Sequence, residues 1–343
     1  MPTIPILIAG GGPVGMTLAL VLARLGVACM LAERNAETTQ HPKMDITNVR
    51  SMELFRRYGL AQALRAAAVP ADNNFDIAWV TTMTGHELHR FRYPSVTEKR
   101  AEIARGNDGS QPLEPAMRVS QVEIEPVLKR AVLAHPLIAA RFGWSFEDCA
   151  QDADGVTVTL RDSATGATDT VRCAYLAGCD GGASRVRASV GIALEGQSNV
   201  AQRYMIHFRS TERHLLQRWG VTWHYQSHNG TIIAQNDDDI WTLQTRLDAG
   251  ETPEQLDPMR RLTEFIGQPI AAEILVANPW TPHLLIAQRY AQGRVLLAGD
   301  AAHQYIPTGG YGMNTGIGDA VALGWKLAAT VKGFGGPGLL AAI

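Results

Sequence analysis

The chain has 343 residues, enough for two domains or one large one with a substantial core. Its 31 basic and 33 acidic residues leave a net charge of −2 without a long run of like charge, which points away from nucleic acid and membrane surfaces and toward small-molecule ligands. Four cysteines (Cys29, Cys149, Cys173 and Cys179) without CxxC spacing, and a start without a basic n-region or cleavage site, lead us to expect free thiols, no metal and a cytoplasmic location.

Taken in chain order, Ile4 to Ala9 is a short apolar run that ends in Gly10-Gly11-Gly12. Val14 to Leu25 then has helical character, and Val27 to Glu33 reads as a second strand, giving a strand–helix–strand unit of about 30 residues, as a parallel crossover requires. Arg50 to Ala67 reads as helix, and Asn73 to Arg92 as strands around a turn at Thr84-Gly85. Val96 to Pro115 is charged and carries Gly and Pro, so a surface excursion is expected. Arg118 to Ala134 returns to helix, and two strands joined at Thr165-Gly166 follow. From Tyr204 to Leu247 alternation dominates, predicting an antiparallel sheet, before a helix over Pro258 to Ile266. The fold expected is α/β: a Rossmann-like domain of residues 1–72, 97–182 and 280–343, with a β-rich substrate domain of residues 73–96 and 183–279 inserted into it.

Gly10-x-Gly12-x-x-Gly15 lies between a strand and a helix, where glycines serve a tight turn, close approach to a pyrophosphate and close strand–helix packing. Glu33 ends the next strand, where a ribose hydroxyl needs an acceptor, and the helix N-terminus adds amide donors for phosphate. A dinucleotide is therefore expected. Two further segments, "YLAGCDGGASRVR" from Tyr175 and "GRVLLAGDAAHQYIPTGGYGMNTGIGDA" from Gly293, narrow its identity. Together the three motifs, in this order across nearly the whole chain, resemble the class A flavoprotein aromatic hydroxylases related to para-hydroxybenzoate and phenol hydroxylases.

The resemblance implies FAD held by Gly10, Gly12, Pro13, Gly15, Glu33 and Arg34 at the adenosine and pyrophosphate end, and by Arg118 and Gln121 of an R-x-x-Q-x-x-x-E helix. Lys43 stands where relatives often carry arginine, keeping the charge but not the planar fork. Asp180-Gly181 either touches the cofactor or is simply a turn joining two domains, and Arg185 and Arg187 are either phosphate contacts or surface charges. Asp300 would hold the ribityl chain, Pro307 and Thr308-Gly309-Gly310 would pass beside the flavin ring, and the helix opening at Gly312-Met313-Asn314 would aim its amides at the ring's N1–O2 edge.

There is no second strand-flanked glycine fingerprint, so NADPH or NADH is expected to visit the flavin transiently. In the family, O2 then gives a flavin C4a-hydroperoxide, which needs an electron-rich ring and a dry pocket. Asp45 falls where phenol hydroxylase-like relatives place an aspartate, either as a base of raised pKa toward a phenol or as a cap of the following helix. His207, His224 and His228 are alternative titrating groups. On "VTWHYQ", Thr222, His224 and Gln226 are expected on one face and Trp223 and Tyr225 on the other, with Trp223, His224 and Tyr225 as candidate pocket residues.

The function expected is FAD-dependent hydroxylation of a phenolic or related aromatic compound, with a homodimer as the candidate assembly. A halogenase is the nearest rival enzyme, but the chain has no Trp-x-Trp-x-Ile-Pro segment. Relatives continue with a helix bearing a Tyr-x-x-Glu-Arg pattern and many add a domain, so a truncated, non-catalytic FAD-binding homologue is the alternative.

Overall fold

The computed structural model of the chain describes residues 4–248, 250–307, 309–336 and 338–342. At its centre is a mainly parallel sheet in the order Ile138–Phe142, Cys29–Glu33, Ile4–Ala9, Thr168–Gly178, Val295–Leu297, with Ala291–Gln292 antiparallel at the edge. Ile8 sits beside Leu31 on one side and Ala177 on the other. Ile6 and Ile8 pack under the helices Pro13–Arg24 and Tyr311–Val331, while Leu7 and Ala9 pack into a second core on the opposite face. Burial on both faces explains why this strand reads as an unbroken apolar run. The hairpin Trp144–Gln151 and Val156–Asp162 extends the sheet by antiparallel pairing to Thr168–Gly178.

A second, seven-stranded sheet runs in the order Glu273–Trp280, Arg203–Arg209, Ile240–Thr245, Gly230–Ala234, His224–Ser227, Ile77–Val80, Glu87–Phe91. All its pairings are antiparallel except that of His224–Ser227 with Ile77–Val80. Its alternation is clean. Ile206, Leu243, Ile232 and Tyr225 face a core closed by Phe265 and Ile266 of the helix Pro258–Ile266, leaving Met205, Gln244, Thr231 and Gln226 on the other face.

Two clamps tie the sheets together. Arg118, in a two-stranded ladder with Ile46–Thr47, forms a bidentate pair with Asp237 at 2.6 and 2.8 Å and donates to the carbonyls of Asn74 and Ala234. Asn314, in the first turn of the final helix, accepts from the Asn48 amide at 2.9 Å and donates to the Ile46 carbonyl at 3.0 Å.

The expected excursion over Val96 to Pro115 is corrected in its first half. Ser95 and Glu98 form a reciprocal capping box, and a helix runs from Val96 to Gly106. Two helices, Val49–Arg57 and Ala61–Ala66, replace the single one expected over Arg50 to Ala67, because the chain turns at Gly59 with φ +75°. The helix expected from Arg118 starts at Gln121. No helix of the described residues is long and apolar enough to cross a membrane.

Candidate functional site

A cavity of about 1360 Å³ opens beyond the carboxyl ends of the parallel strands and is floored by the free face of the seven-stranded sheet. A single drug-sized ligand occupies roughly 300–1,000 Å³, so this space accommodates more than one molecule. Gly12 and Pro13, Gly181, and Asp300 follow three neighbouring parallel strands into its wall. Pro307, Gly309, Gly310, Gly312 and Met313, at the start of the 21-residue final helix, line it as well.

The three fingerprint glycines have different jobs. A Cβ on Gly10, whose φ is +108°, would meet the Cys179 carbonyl oxygen at 2.2 Å, and one on Gly15 would meet the Gly10 oxygen at 1.9 Å. These two allow the loop and helix to pack on the strands. A Cβ on Gly12 meets nothing within 4 Å and would project into the cavity space, as it would on Gly181 and Gly312. Glu33 is engaged elsewhere: its carboxylate accepts from the Gly11 amide at 2.6 Å and the Asn35 amide at 2.9 Å, and Arg34 is exposed outside the cavity lining.

Asp300 makes no hydrogen bond to the described residues and faces the cavity. Burial pushes its carboxyl up from the usual carboxylate range, against the charges of His303 and Lys43, with Asp319 adding to the rise. It is no helix cap. Behind it, Asp319 accepts from the Gly299 amide at 2.9 Å and lies 2.6 Å from His303 Nε2, fixing the turn that carries Asp300.

Asp45 lies across the cavity. The cap of the following helix is Asn48, which accepts from the Ser51 amide, so Asp45 is free for other work. Trp223 Nε1 donates to Asp45 Oδ2 at 2.5 Å, and His224 Nε2 lies 3.5 Å from the same oxygen. Burial alone would raise the Asp45 carboxyl; hydrogen bonding and charge from His224, the Trp223 indole and the Arg118 charge outweigh it and hold the group below the usual range. The expected raised pKa is therefore corrected.

Several candidates stand away from the cavity. Arg118 is spent on Asp237 rather than on a cofactor, because the bidentate partner lies in the loop after Gly230–Ala234. Asp180 accepts from Ser184 Oγ at 2.5 Å and the Val186 amide at 3.1 Å, so its carboxylate organises a turn while Gly181 lines the cavity. Arg187 donates to the Gly182 and Ala301 carbonyls, and Arg185 to Glu147. Tyr225 is fully buried in the opposite core, with its hydroxyl on the Gly220 carbonyl. Trp223 precedes the strand, which begins at His224, and so escapes the alternation; Trp223 and His224 both line the cavity.

His207 bonds Thr242 inside the sheet and His228 is exposed in a turn. Gln121 lines the cavity and donates to Glu125 at 2.7 Å; Lys43 lines it with an exposed side chain. Thr308 lies outside the described residues. Arg203, Gln244 and Trp280 line the floor without having been singled out in the sequence, where only strand parity with Met205 marks Arg203 as cavity-facing.

The profile of a family described as the FAD binding domain matches residues 3–342. The chain belongs to the FAD-binding domain family. It is 39% identical to the FAD-dependent monooxygenase apdD of Emericella nidulans over 98% of this chain and 57% of that protein. It is 35% identical to the aklavinone 12-hydroxylase DnrF of Streptomyces peucetius, over 99% and 70%. A solved ternary complex of aklavinone-11 hydroxylase with FAD and aklavinone superposes with a TM-score of 0.89 at 30% identity, covering 98% of this chain and 64% of that one. The chain thus spans a little over half the length of the first of these relatives.

The residues present suit FAD. The side-chain-free surfaces of Gly12, Gly181 and Gly312 leave room for a close-lying pyrophosphate and ring, and Asp300 is an unspent acceptor for ribityl hydroxyls. The final helix presents its N-terminal amides to the same cavity, where negative charge is favoured.

Proposed function

We propose that this chain is the cofactor- and substrate-binding part of an aromatic hydroxylase that inserts one oxygen atom of O2 into a phenolic or related aromatic ring, with NAD(P)H as reductant. The observation that carries the reading is the continuity of one cavity between the glycine-lined cofactor cradle and the Asp45–Trp223–His224 cluster. The central parallel sheet and its helices serve as the cofactor domain, and the seven-stranded sheet as the substrate domain. The names of the relatives support the same chemistry.

Bound FAD supplies electron transfer and oxygen activation. The chain's own residues supply the rest. Gly12, Gly181, Gly309, Gly310, Gly312 and Asp300 seat the cofactor, Pro307 and Met313 bound the ring's side of the cavity, and Ile77 and Ile233 keep part of the floor dry. Asp45, held ionised, is a weak base but a good partner for an imidazolium. His224 stands as the proton acceptor: its buried Nε2 lies 3.5 Å from Asp45 Oδ2 and makes no hydrogen bond to the described residues. A phenol placed against this imidazole would lose its proton to it and gain the electron density that hydroxylation needs.

The test is to load the purified protein with FAD and follow NAD(P)H oxidation with a panel of mono- and polycyclic phenols, identifying products by mass with isotope-labelled O2. Phenol-stimulated oxidation with label in the product is expected. A yellow protein that oxidises NAD(P)H with none of the panel sinks the reading.

A further inference from the structure

The floor of the cavity carries a cation with no counter-charge. Arg203 opens the strand Arg203–Arg209, shares the parity of Met205 and lines the cavity half-buried. Other arginines withdrawn from solvent have partners: Arg65 pairs with Glu114, Arg90 with Asp76 and Glu87, Arg118 with Asp237 and Arg261 with Glu251, while Arg187 and Arg294 donate to backbone carbonyls. Among the described residues no carboxylate lies within 4.0 Å of Arg203, and its guanidinium donates no hydrogen bond. Tyr204 pairs with Thr245, so the next residue across the ladder is Arg246, a like charge where a cross-strand acid would be expected. Burial, and then the Arg246 charge, pull the Arg203 pKa down.

An uncompensated, partly desolvated arginine is costly to fold around, and a planar fork of donors matches a carboxylate. The position in the sheet adds a length. Arg203 and His224 lie on strands three places apart, roughly 14 Å across the floor, and His224 is level with His207, four residues or roughly 13 Å along the strand from Arg203, so the two backbones are roughly 20 Å apart. That is farther than one benzene ring reaches. Between them the floor offers the Gln226 side chain and Gln244, whose Oε1 accepts from Trp280 Nε1 at 2.8 Å and which is thereby oriented with its NH2 free.

We propose that Arg203 binds the anionic group of the substrate, a carboxylate or an equally acidic enol, and that the substrate is an extended, polycyclic aromatic acid whose acidic end lies remote from Asp45 and His224. This rests on the hydroxylase reading of the same cavity, but its test is a binding measurement that needs no turnover. Anthraquinone-2-carboxylate and 2-naphthoate, each with its neutral carboxamide, are titrated into the FAD-loaded protein by calorimetry and flavin absorbance. Wild type should bind the anthraquinone carboxylate roughly ten-fold or more tightly than its amide. Arg203→Gln should abolish that preference while leaving the amide affinity within about two-fold, and Arg203→Lys should restore part of it. FAD content and melting temperature of the variants confirm folding.

Equal binding of acid and amide by wild type, a preference that survives Arg203→Gln, or binding of neither polycyclic pair overturns the proposal. Product formation from 1-hydroxy-2-naphthoate, measured separately, reports on the hydroxylase reading alone.

Discussion

Gly12 and Gly15 are two glycines of one turn whose substitution by alanine should have opposite consequences. At Gly15 an added Cβ falls 1.9 Å from the Gly10 carbonyl oxygen, whereas ordinary contact begins at 3.4 Å, so helix and loop must separate by about 1.5 Å. The obstacle is backbone and has no rotamer to give. Overpacking of this kind costs roughly 1–3 kcal/mol, and the upper end is expected here. At about 2–4 °C per kcal/mol for a chain of this order, the melting temperature should fall by roughly 5 °C or more.

At Gly12 the backbone is extended, with φ −73° and ψ −177°, and the Cβ meets no protein atom within 4 Å. Stability without cofactor should therefore stay within about 0.5 kcal/mol of wild type. FAD affinity should drop roughly ten-fold or more, because the methyl occupies the path of the pyrophosphate. Scanning fluorimetry of the FAD-stripped proteins and quenching titrations with FAD separate the two effects. Wild-type FAD affinity in Gly12→Ala, or equal destabilisation by both substitutions, would refute the assignment of Gly12 to the cofactor and of Gly15 to packing.

His224→Gln should lower kcat by roughly 10²–10⁴ with little change in FAD affinity; an unaltered kcat would remove His224 as proton acceptor. Asp45→Asn should lower kcat in the same direction, since the imidazolium formed on proton transfer loses its ionised partner. For His207, burial lowers the pKa from 6.5 to about 4. Its effect on stability is constant above pH 6.5; below that the unfolded chain takes up a proton that the folded chain refuses. Stability should fall by up to about 1.4 kcal/mol per pH unit and roughly 3 kcal/mol in total by pH 4, a loss that urea unfolding should find reduced in His207→Gln. Arg118→Ala leaves Asp237 buried and unpaired and should cost about 3–5 kcal/mol, with Asp237→Asn in the same background recovering part of it; no recovery would mean that packing, not charge, sets the loss.

Local chemistry accounts for what the sequence makes legible. The strand Ile4–Ala9, the helix beginning at Pro13 and the glycines between them are specified within a dozen residues, and alternation marks the strands of the second sheet wherever one face is buried. The segment after Ser95 shows two local signals in conflict: charge and Gly/Pro content suggest a loop, but the Ser95–Glu98 box starts a helix. The rest depends on residues far apart in sequence. Trp223 meets Asp45 across 178 positions and Arg118 meets Asp237 across 119, so neither the depressed Asp45 pKa nor the diversion of Arg118 from the cofactor is written near either residue. Tyr225 follows the alternation into the core, opposite His224 and Gln226, whereas Trp223, one residue before the strand, departs from it and turns to the cavity.

The Asn314 side chain spans 266 residues to reach the Asn48 amide. During synthesis the glycine turn near residue 12 precedes by about 300 residues the Asn314 side chain that holds residues 46–48 against the final helix. The segment bearing Asp45 is tied earlier to residues 117–121 by a short antiparallel ladder and to the Trp223 indole, and Asn314 adds the last of these long-range bonds. On the proposed reading, a chain released short of that helix would keep the dinucleotide loop but lose both the helix amides that face the cavity and the Asn314 bonds to residues 46–48.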